Sequence, residues 1–374
     1  MKVLFVIHGP RDPLTAIFRD VRQRADDLQQ RGEIADVLTP NDFPGLRRIP
    51  SRLWPLVYPC FVALRLWDQR AVYDVVQFHS YSGWVFHALC RFTKKRPHTL
   101  TAFQGLEPIY YRNLKAQAGR SRKRLSWRFR LFYGLLMPQI LRASCRSSDR
   151  VICLNQAELR YLEKNRWASK AHIVLGENTV SDDFFIVREW RAAARRLMFL
   201  GQWLEMKGTS FLVEAFTQLA RAHSELELWC VGTLANEETV LASFPEDVRR
   251  RVIVRSRVER NELIECFRQA DIFVFPSLSE GFSHALMEAM ATGLPIVTTP
   301  VGAAPDILKD GESALFAPEA DANALAQSLS TLLHDAGLRK KLGCRAQIAA
   351  RYYNDEQSFA RFYQLLESIL AEWS

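Results

Sequence analysis

The sequence predicts an α/β protein of two doubly wound domains, each a parallel sheet covered by helices on both faces. Three observations carry this: β-α alternation recurs in two separate blocks, 374 residues exceed what one hydrophobic core ordinarily serves, and 48% of them are hydrophobic. The first block offers strands at residues 2–7, 75–79, 98–103, 150–154 and 172–175, separated by helical patterns such as 16–30. After a loop at 178–188, the second block offers strands at 196–201, 225–231, 252–256, 271–276 and 295–299, each followed by a helix. The expected division is a first domain at 1–180, a second at 181–354 and a closing helical segment at 355–374.

Several function classes lose support at once. Neither block carries G-x-G-x-x-G, which removes the main argument for a dinucleotide dehydrogenase. Seven scattered cysteines without C-x-x-C spacing argue against a zinc cluster or a disulfide framework and for a reducing, cytosolic compartment. No D-x-D occurs anywhere, so a divalent ion chelated by paired aspartates is not expected, and no metal or cofactor is assigned. The start, MKVLFVIHGP, runs directly into Arg11 and Asp12 and reads as a first buried strand and its loop, not as a cleavable signal.

The net charge of +9 is unevenly divided. Residues 1–180 carry 30 Lys+Arg against 14 Asp+Glu, whereas residues 181–374 carry 20 against 27. Within the first domain, residues 111–148 hold ten Lys+Arg and no acid, interleaved with Trp127, Phe129, Phe132, Tyr133, Leu135, Leu136 and Met137. Basic residues among large apolar ones suit a surface lying on anionic lipid, with side chains dipping into the interface and cations meeting head groups. Nucleic acid and an ordinary solvated helix face are the alternatives; membrane is the partner adopted here and nucleic acid is not expected. A second stretch, LWPLVYPCFVAL between Arg52 and Arg65, is twelve residues long and too short to span a bilayer.

Two glutamates, Glu280 and Glu288, fall in SLSEGFSHALMEAMATGLPIVTTPVG. Residues 271–277 read as a buried strand, SEGFSH as a turn and residues 285–292 as an apolar helix opened by Ser283, an N-cap residue type. Glu280 is then in the loop and Glu288 more than one turn into the helix. The unpaired N–H groups and positive dipole end of such a helix start favour a phosphate.

This segment resembles the C-terminal signature of retaining glycosyltransferases of family 4, E-G-F-x-x-x-x-x-E followed by A-x-A-x-G-x-P-V/I and a glycine loop. The matching residues are Glu280, Gly281, Phe282, Glu288, Ala289, Ala291, Gly293, Pro295, Ile296 and Gly302. The resemblance implies the GT-B architecture: two Rossmann-like domains facing a cleft, the donor held by the second domain, and a last helix crossing back to the first. It also implies that Glu280 holds donor-sugar hydroxyls and Glu288 the nucleotide ribose, with Gly281, Phe282, Ser283 and His284 forming the phosphate-facing helix start.

Other segments resemble the family more loosely. In MFLGQWLEMKGTSFLVEAF, Lys207 matches the lysine of the family's diphosphate clamp, whereas Gln202 stands where an arginine is usual. TAFQGLE resembles the family's F-H-G element, with Gln104 in place of the histidine; glutamine can hydrogen-bond but cannot carry a proton. Gly9 lies in the loop where the family brings backbone close to the phosphates, Pro10 departs from the usual double glycine, and Arg11 supplies a cation there. His79, ending the second predicted strand, reads as packed or solvated before it reads as a cleft residue. ICLNQAE and GENTVSDDFF resemble the family's strand and loop flanking the hinge.

These features imply a retaining, metal-independent transferase that moves a hexose-type unit from a nucleotide diphosphate sugar to an acceptor hydroxyl. Glu280, Lys207 and Gln104 are its candidate catalytic residues. A glycan or lipid-linked acceptor, in cell-surface polysaccharide, lipopolysaccharide or lipid-linked glycan synthesis, and a peripheral site on the cytoplasmic face of the inner membrane follow from family and charge. The alternatives are a GT-B relative with epimerase or phosphorylase chemistry, separable by a product assay, and a non-catalytic basic scaffold, against which both glutamates argue.

Overall fold

The structure is a computed structural model describing residues 1–372 apart from 13, 14, 51, 52, 91, 92, 94 and 121–125. Arg122, Lys123 and Arg124 of the basic run therefore lie outside the described residues. The chain divides into two compact units, Met1–Asn178 with Glu356–Ser374, and Thr179–Asp355.

Unit 1 contains strands β1 (Lys2–Val6), β2 (Ile34–Leu38), β3 (Val75–His79), β4 (His98–Ala102), β5 (Arg150–Cys153) and β6 (Ile173–Leu175). They form one six-stranded sheet in the order β2-β1-β3-β4-β5-β6, with parallel pairing throughout. The two-residue period of a strand distributes β1 over both faces. Val3 and Phe5 join a core with Val21, Ala25 and Leu28 of the helix Ala16–Gln30, while Leu4 and Val6 join another with Tyr58, Phe86 and Leu141. The closing helix Asp355–Ala371 adds Phe362, Leu366 and Ile369 to the first of these cores. It is further tied to unit 1 by Arg361, whose Nε donates to Glu177 Oε1 at 2.8 Å, and by Tyr363, whose hydroxyl donates to Glu33 at 2.9 Å.

Unit 2 contains β7 (Arg196–Leu200), β8 (Glu227–Val231), β9 (Val252–Arg255), β10 (Ile272–Phe275), β11 (Ile296–Thr298) and β12 (Leu315–Phe316), again one parallel sheet, in the order β12-β11-β10-β7-β8-β9. Thus the α/β class and the paired doubly wound sheets are observed. Two edge strands, β2 and β12, were not anticipated. Ile34 is 50% exposed and β12 is only two residues long, so neither shows the apolar run of a buried strand. Residues 170–172 form a 3₁₀ turn, leaving β6 to begin at Ile173.

Strand order fixes where a ligand can sit. In an open parallel sheet the loops at the carboxyl ends of the strands diverge where the winding reverses, leaving a crevice. The reversal falls between β7 and β10 in unit 2 and between β1 and β3 in unit 1.

Candidate functional site

The crevice of unit 2 is built by the loops after β7, β10 and β11. The first contains Gly201–Gly208, the second Pro276–Ser283 and the third Thr299–Ala303. Backbone hydrogen bonds lock them together: Leu278 N–H donates to Met206 C=O at 2.8 Å and Ala303 N–H to Gly281 C=O at 2.8 Å. Thr299 Oγ1 donates to Ser277 C=O at 2.5 Å.

Two glycines make this approach possible. Gly208 sits at φ +73° between a 3₁₀ turn, Glu205–Lys207, and the helix Thr209–Ala222, and a Cβ there would lie 1.9 Å from the Pro276 carbonyl oxygen. Gly302, at φ +58°, would place a Cβ 2.5 Å from Gly281 O and 2.7 Å from Glu280 O. Only glycine meets both demands, a left-handed backbone and no Cβ.

The result is a charged pair at the crevice. Lys207 Nζ lies 2.6 Å from Glu280 Oε1, and Ser277 Oγ donates to the same oxygen at 2.6 Å. Their side chains are 28% and 12% exposed, so the pair is partly desolvated and less screened by solvent than a surface ion pair. Lys207 also lies 5.9 Å from the centroid of the Phe275 ring. Immediately beyond, Ser283 caps the helix His284–Ala291, its hydroxyl accepting from Leu286 N–H at 3.3 Å. Gly281 and Phe282 are buried, and Phe282 packs edge-on against Tyr353 with ring centroids 5.5 Å apart. His284 is half-buried in the first turn, and Glu288, one turn further in, is only 9% exposed. Gln202 is exposed; its carbonyl accepts from Leu204 N–H at 2.8 Å. This arrangement presents a cation, a carboxylate and a helix N-terminus side by side, a set suited to an anion attached to a hydroxyl-bearing group.

The unit 1 residues gather at the other reversal. Gly9 follows β1 and packs against Ile17, a Cβ there lying 3.2 Å from Ile17 Cγ2. Arg11 is exposed and already committed: its guanidinium donates to both Asp42 oxygens at 2.9 Å, and its N–H to Asn41 at 2.9 Å. Gln104 is half-buried and makes a long contact, 3.5 Å, with Asp20 Oδ2. Asp20 itself pairs with Arg24 at 3.2 Å, and Arg24 donates to the Glu177 carbonyl at 2.6 Å. His79 is packed at the end of β3, its Nε2 3.0 Å from Gln77 Nε2, and burial lowers its pKa to about 3, with His8 adding repulsion. Burial likewise lowers His8 to about 4.

Sequence reasoning missed three groups. Ser277, three residues before Glu280, is the hydroxyl that orients it, and only the loop geometry reveals that. Ser80, just after β3, has φ +54° and donates to Glu107, whose pKa is raised by burial. Glu158 accepts from Leu106 N–H at 3.0 Å and Leu154 N–H at 2.9 Å, joining the loops after β4 and β5; burial raises it to about 7. Among the described residues no group of three or more His, Cys, Asp or Glu side chains is placed to hold a metal ion.

Residues 194–335 match the family model "Glycosyl transferases group 1", and residues 18–184 match "Glycosyltransferase Family 4". Among curated proteins, the chain is 30% identical over 169 residues to the D-inositol 3-phosphate glycosyltransferase of Xylanimonas cellulosilytica, covering 44% of this chain and 40% of that protein. It is 25% identical over 188 residues to the capsular polysaccharide biosynthesis glycosyltransferase CapM of Staphylococcus aureus, covering 50% and 45%. The matches thus span less than half the length of these curated relatives. The fold is shared with sucrose-phosphate synthase from Thermosynechococcus elongatus, at a TM-score of 0.80, 22% identity and full coverage of both chains. It is shared too with Anabaena HepE, solved in complex with UDP and glucose, at a TM-score of 0.69, 16% identity, and coverage of 98% of this chain and 100% of that one. With two family models accounting for most of its length and this architecture behind them, the chain belongs to the group 1, family 4 glycosyltransferases with a GT-B fold.

Proposed function

We propose that the protein is a retaining, metal-independent glycosyltransferase that moves a hexose-type unit from a nucleotide diphosphate sugar to an acceptor hydroxyl of a surface polysaccharide, lipopolysaccharide or lipid-linked glycan. The observation that carries this is the Lys207–Glu280 pair at the crevice of unit 2, beside the N-terminus of the helix His284–Ala291. The names of relatives that act on inositol phosphates or in capsule synthesis, and the UDP-containing complexes of HepE, support the donor and acceptor classes.

In this reading the diphosphate takes Lys207 from Glu280. The Lys207 ammonium and the helix N–H groups meet the charge that builds on the leaving diphosphate, and Glu280, still oriented by Ser277, accepts from donor-sugar hydroxyls. Glu288 accepts from the ribose. No side chain of the crevice is assigned as a nucleophile; a front-face path, in which the leaving phosphate takes the proton of the incoming hydroxyl, needs only the groups named. Gln104 at unit 1 contributes a hydrogen bond but no proton transfer. Gly9 and Arg11, on unit 1, keep the donor-binding role that the family resemblance gives them, Arg11 being paired with Asp42 in this structure. The acceptor belongs to unit 1, and the cytoplasmic surface of an anionic membrane is the place of action.

The test is transfer from a panel of labelled nucleotide sugars, with and without EDTA, followed by NMR assignment of the product anomer. Retained configuration and EDTA-resistant turnover are expected. Inversion, or a strict need for added manganese or magnesium, overturns the mechanism.

A further inference from the structure

Residues 127–136 leave an apolar stripe facing solvent. Trp127, Leu131 and Leu135 are 68%, 52% and 60% exposed and follow at four-residue intervals, which places them along one side of the helical run Trp127–Ser147. The opposite side of that run is occupied: Phe132 and Tyr133 pack against the unit 1 core, Phe129 stacks near Tyr133 at 4.5 Å, and Met137, Ile140 and Leu141 are buried. The first turns of the run therefore carry apolar side chains on two sides, one packed on the unit 1 core and one open to solvent, and the open side calls for a second apolar cover. Its middle, Phe132–Leu136, is a π-helical turn ending just before Pro138, whose ring and missing N–H disturb the regular turn before it. Gly134 there lies close enough to Tyr111 that a Cβ would fall 2.9 Å from its hydroxyl, so Tyr111 crosses the run and helps to shape an open groove of about 490 Å³ with Trp127, Leu131 and Leu135.

Charge identifies the cover. Lys115 and Arg130 line the same groove, exposed Arg112 and Arg128 lie nearby in sequence, and Arg128 sits 5.5 Å from the Trp127 ring centroid. No acid occurs between residues 111 and 148. A second copy packed through the same face would place cations on cations, and nucleic acid would leave two leucines in water. An anionic bilayer surface satisfies both features, because hydrocarbon takes the leucines, the interface takes tryptophan, and phosphate head groups take the cations. We infer that Trp127, Leu131 and Leu135 insert into an anionic lipid surface, with Lys115, Arg128 and Arg130 holding its phosphates. This face belongs to unit 1 and the Lys207–Glu280 crevice to unit 2, and binding at the face is measurable without donor or acceptor; failure of transfer and failure of docking are thus separate results.

The experiment is co-sedimentation of the full chain with neutral phosphatidylcholine vesicles and with vesicles containing phosphatidylglycerol, over a salt series. Preference for the anionic vesicles, with release as salt rises, is expected. Lys115→Ser/Arg128→Ser/Arg130→Ser should lower partitioning by about fivefold per cation. Trp127→Ser/Leu131→Ser/Leu135→Ser should remove roughly tenfold or more of the salt-resistant binding. Both sets change exposed side chains, so thermal unfolding and nucleotide binding should match the parent. The single variants Trp127→Ser and Arg130→Ser give the same readout if a triple variant misfolds. Equal binding to neutral vesicles, unchanged partitioning of the variants, tighter binding of RNA or DNA in a mobility shift, or a dimer abolished by the stripe variant each overturns the inference.

Discussion

Lys207 and Glu280 neutralise one another in the absence of ligand, so replacing either exposes the other in a partly desolvated crevice. Glu280→Ala should chiefly depress turnover, and Glu288→Ala should chiefly weaken nucleotide binding, each by roughly 1.5–3 kcal/mol. Calorimetric titration with the nucleotide beside steady-state kinetics separates them; normal transfer by a folded double variant removes the assignment. Lys207→Ala should weaken a nucleoside diphosphate far more than the free nucleoside, because only the former carries the charge that the ammonium meets. Equal losses would refute the diphosphate role. Glu158 gives a pH prediction. Burial raises its carboxyl from the usual 4.5 to about 7 in the folded state, so the native state holds the extra proton between these values. Its contribution to stability is full below pH 4.5 and is lost as pH rises through 7. The melting temperature of Glu158→Gln should therefore fall less steeply over that window than the parent's; identical slopes would show that Glu158 is not the titrating group.

At the scale of elements, the unit 2 crevice depends on loops that touch through backbone. Gly208→Ala must abandon a left-handed backbone and clear the Pro276 carbonyl, a strain of at least ~1–2 kcal/mol before the clash is counted. It should lower the melting temperature and abolish nucleotide-induced stabilisation together. A variant with parent-like melting and binding would show that the loops move apart freely. Ser283→Ala, which removes the helix cap, should cost about 1 kcal/mol in unfolding experiments.

At the scale of the molecule, the chain is a strongly basic unit 1 joined to an acidic unit 2, and the two carry different chemistry. A nucleotide that binds only folded unit 2 should stabilise it by about 2.7 kcal/mol at a hundredfold excess over its dissociation constant. Hydrogen exchange should show the protection in the loops around residues 201–208, 276–283 and 299–303. Protection confined to unit 1 would contradict the placement of the donor. Among the described residues no helix is long and apolar enough to cross a membrane, and the apolar run at residues 53–64 contributes to the helix Trp54–Trp67, with Tyr58, Val62 and Ala63 in the unit 1 core.

Sequence by itself determined the fold class, because strands buried on both faces are written as apolar runs, and the runs at β1, β7 and β10, set in two blocks of β-α alternation, match two doubly wound sheets. It also determined that the candidate residues Glu280, Ser283 and Glu288 share one neighbourhood, since they lie within nine residues of one another along the chain and a strand-loop-helix unit fixes their order. The edge strands β2 and β12 were illegible because an edge need not be buried. Only the tertiary structure decided which polar and charged side chains meet. The Lys207–Glu280, Arg11–Asp42 and Ser80–Glu107 partners are 73, 31 and 27 residues apart, and nothing local in the chain specifies such pairs. They arise because parallel strands deliver distant loops to one end of a sheet, where a glycine without a Cβ lets two backbones touch and a side chain reach across.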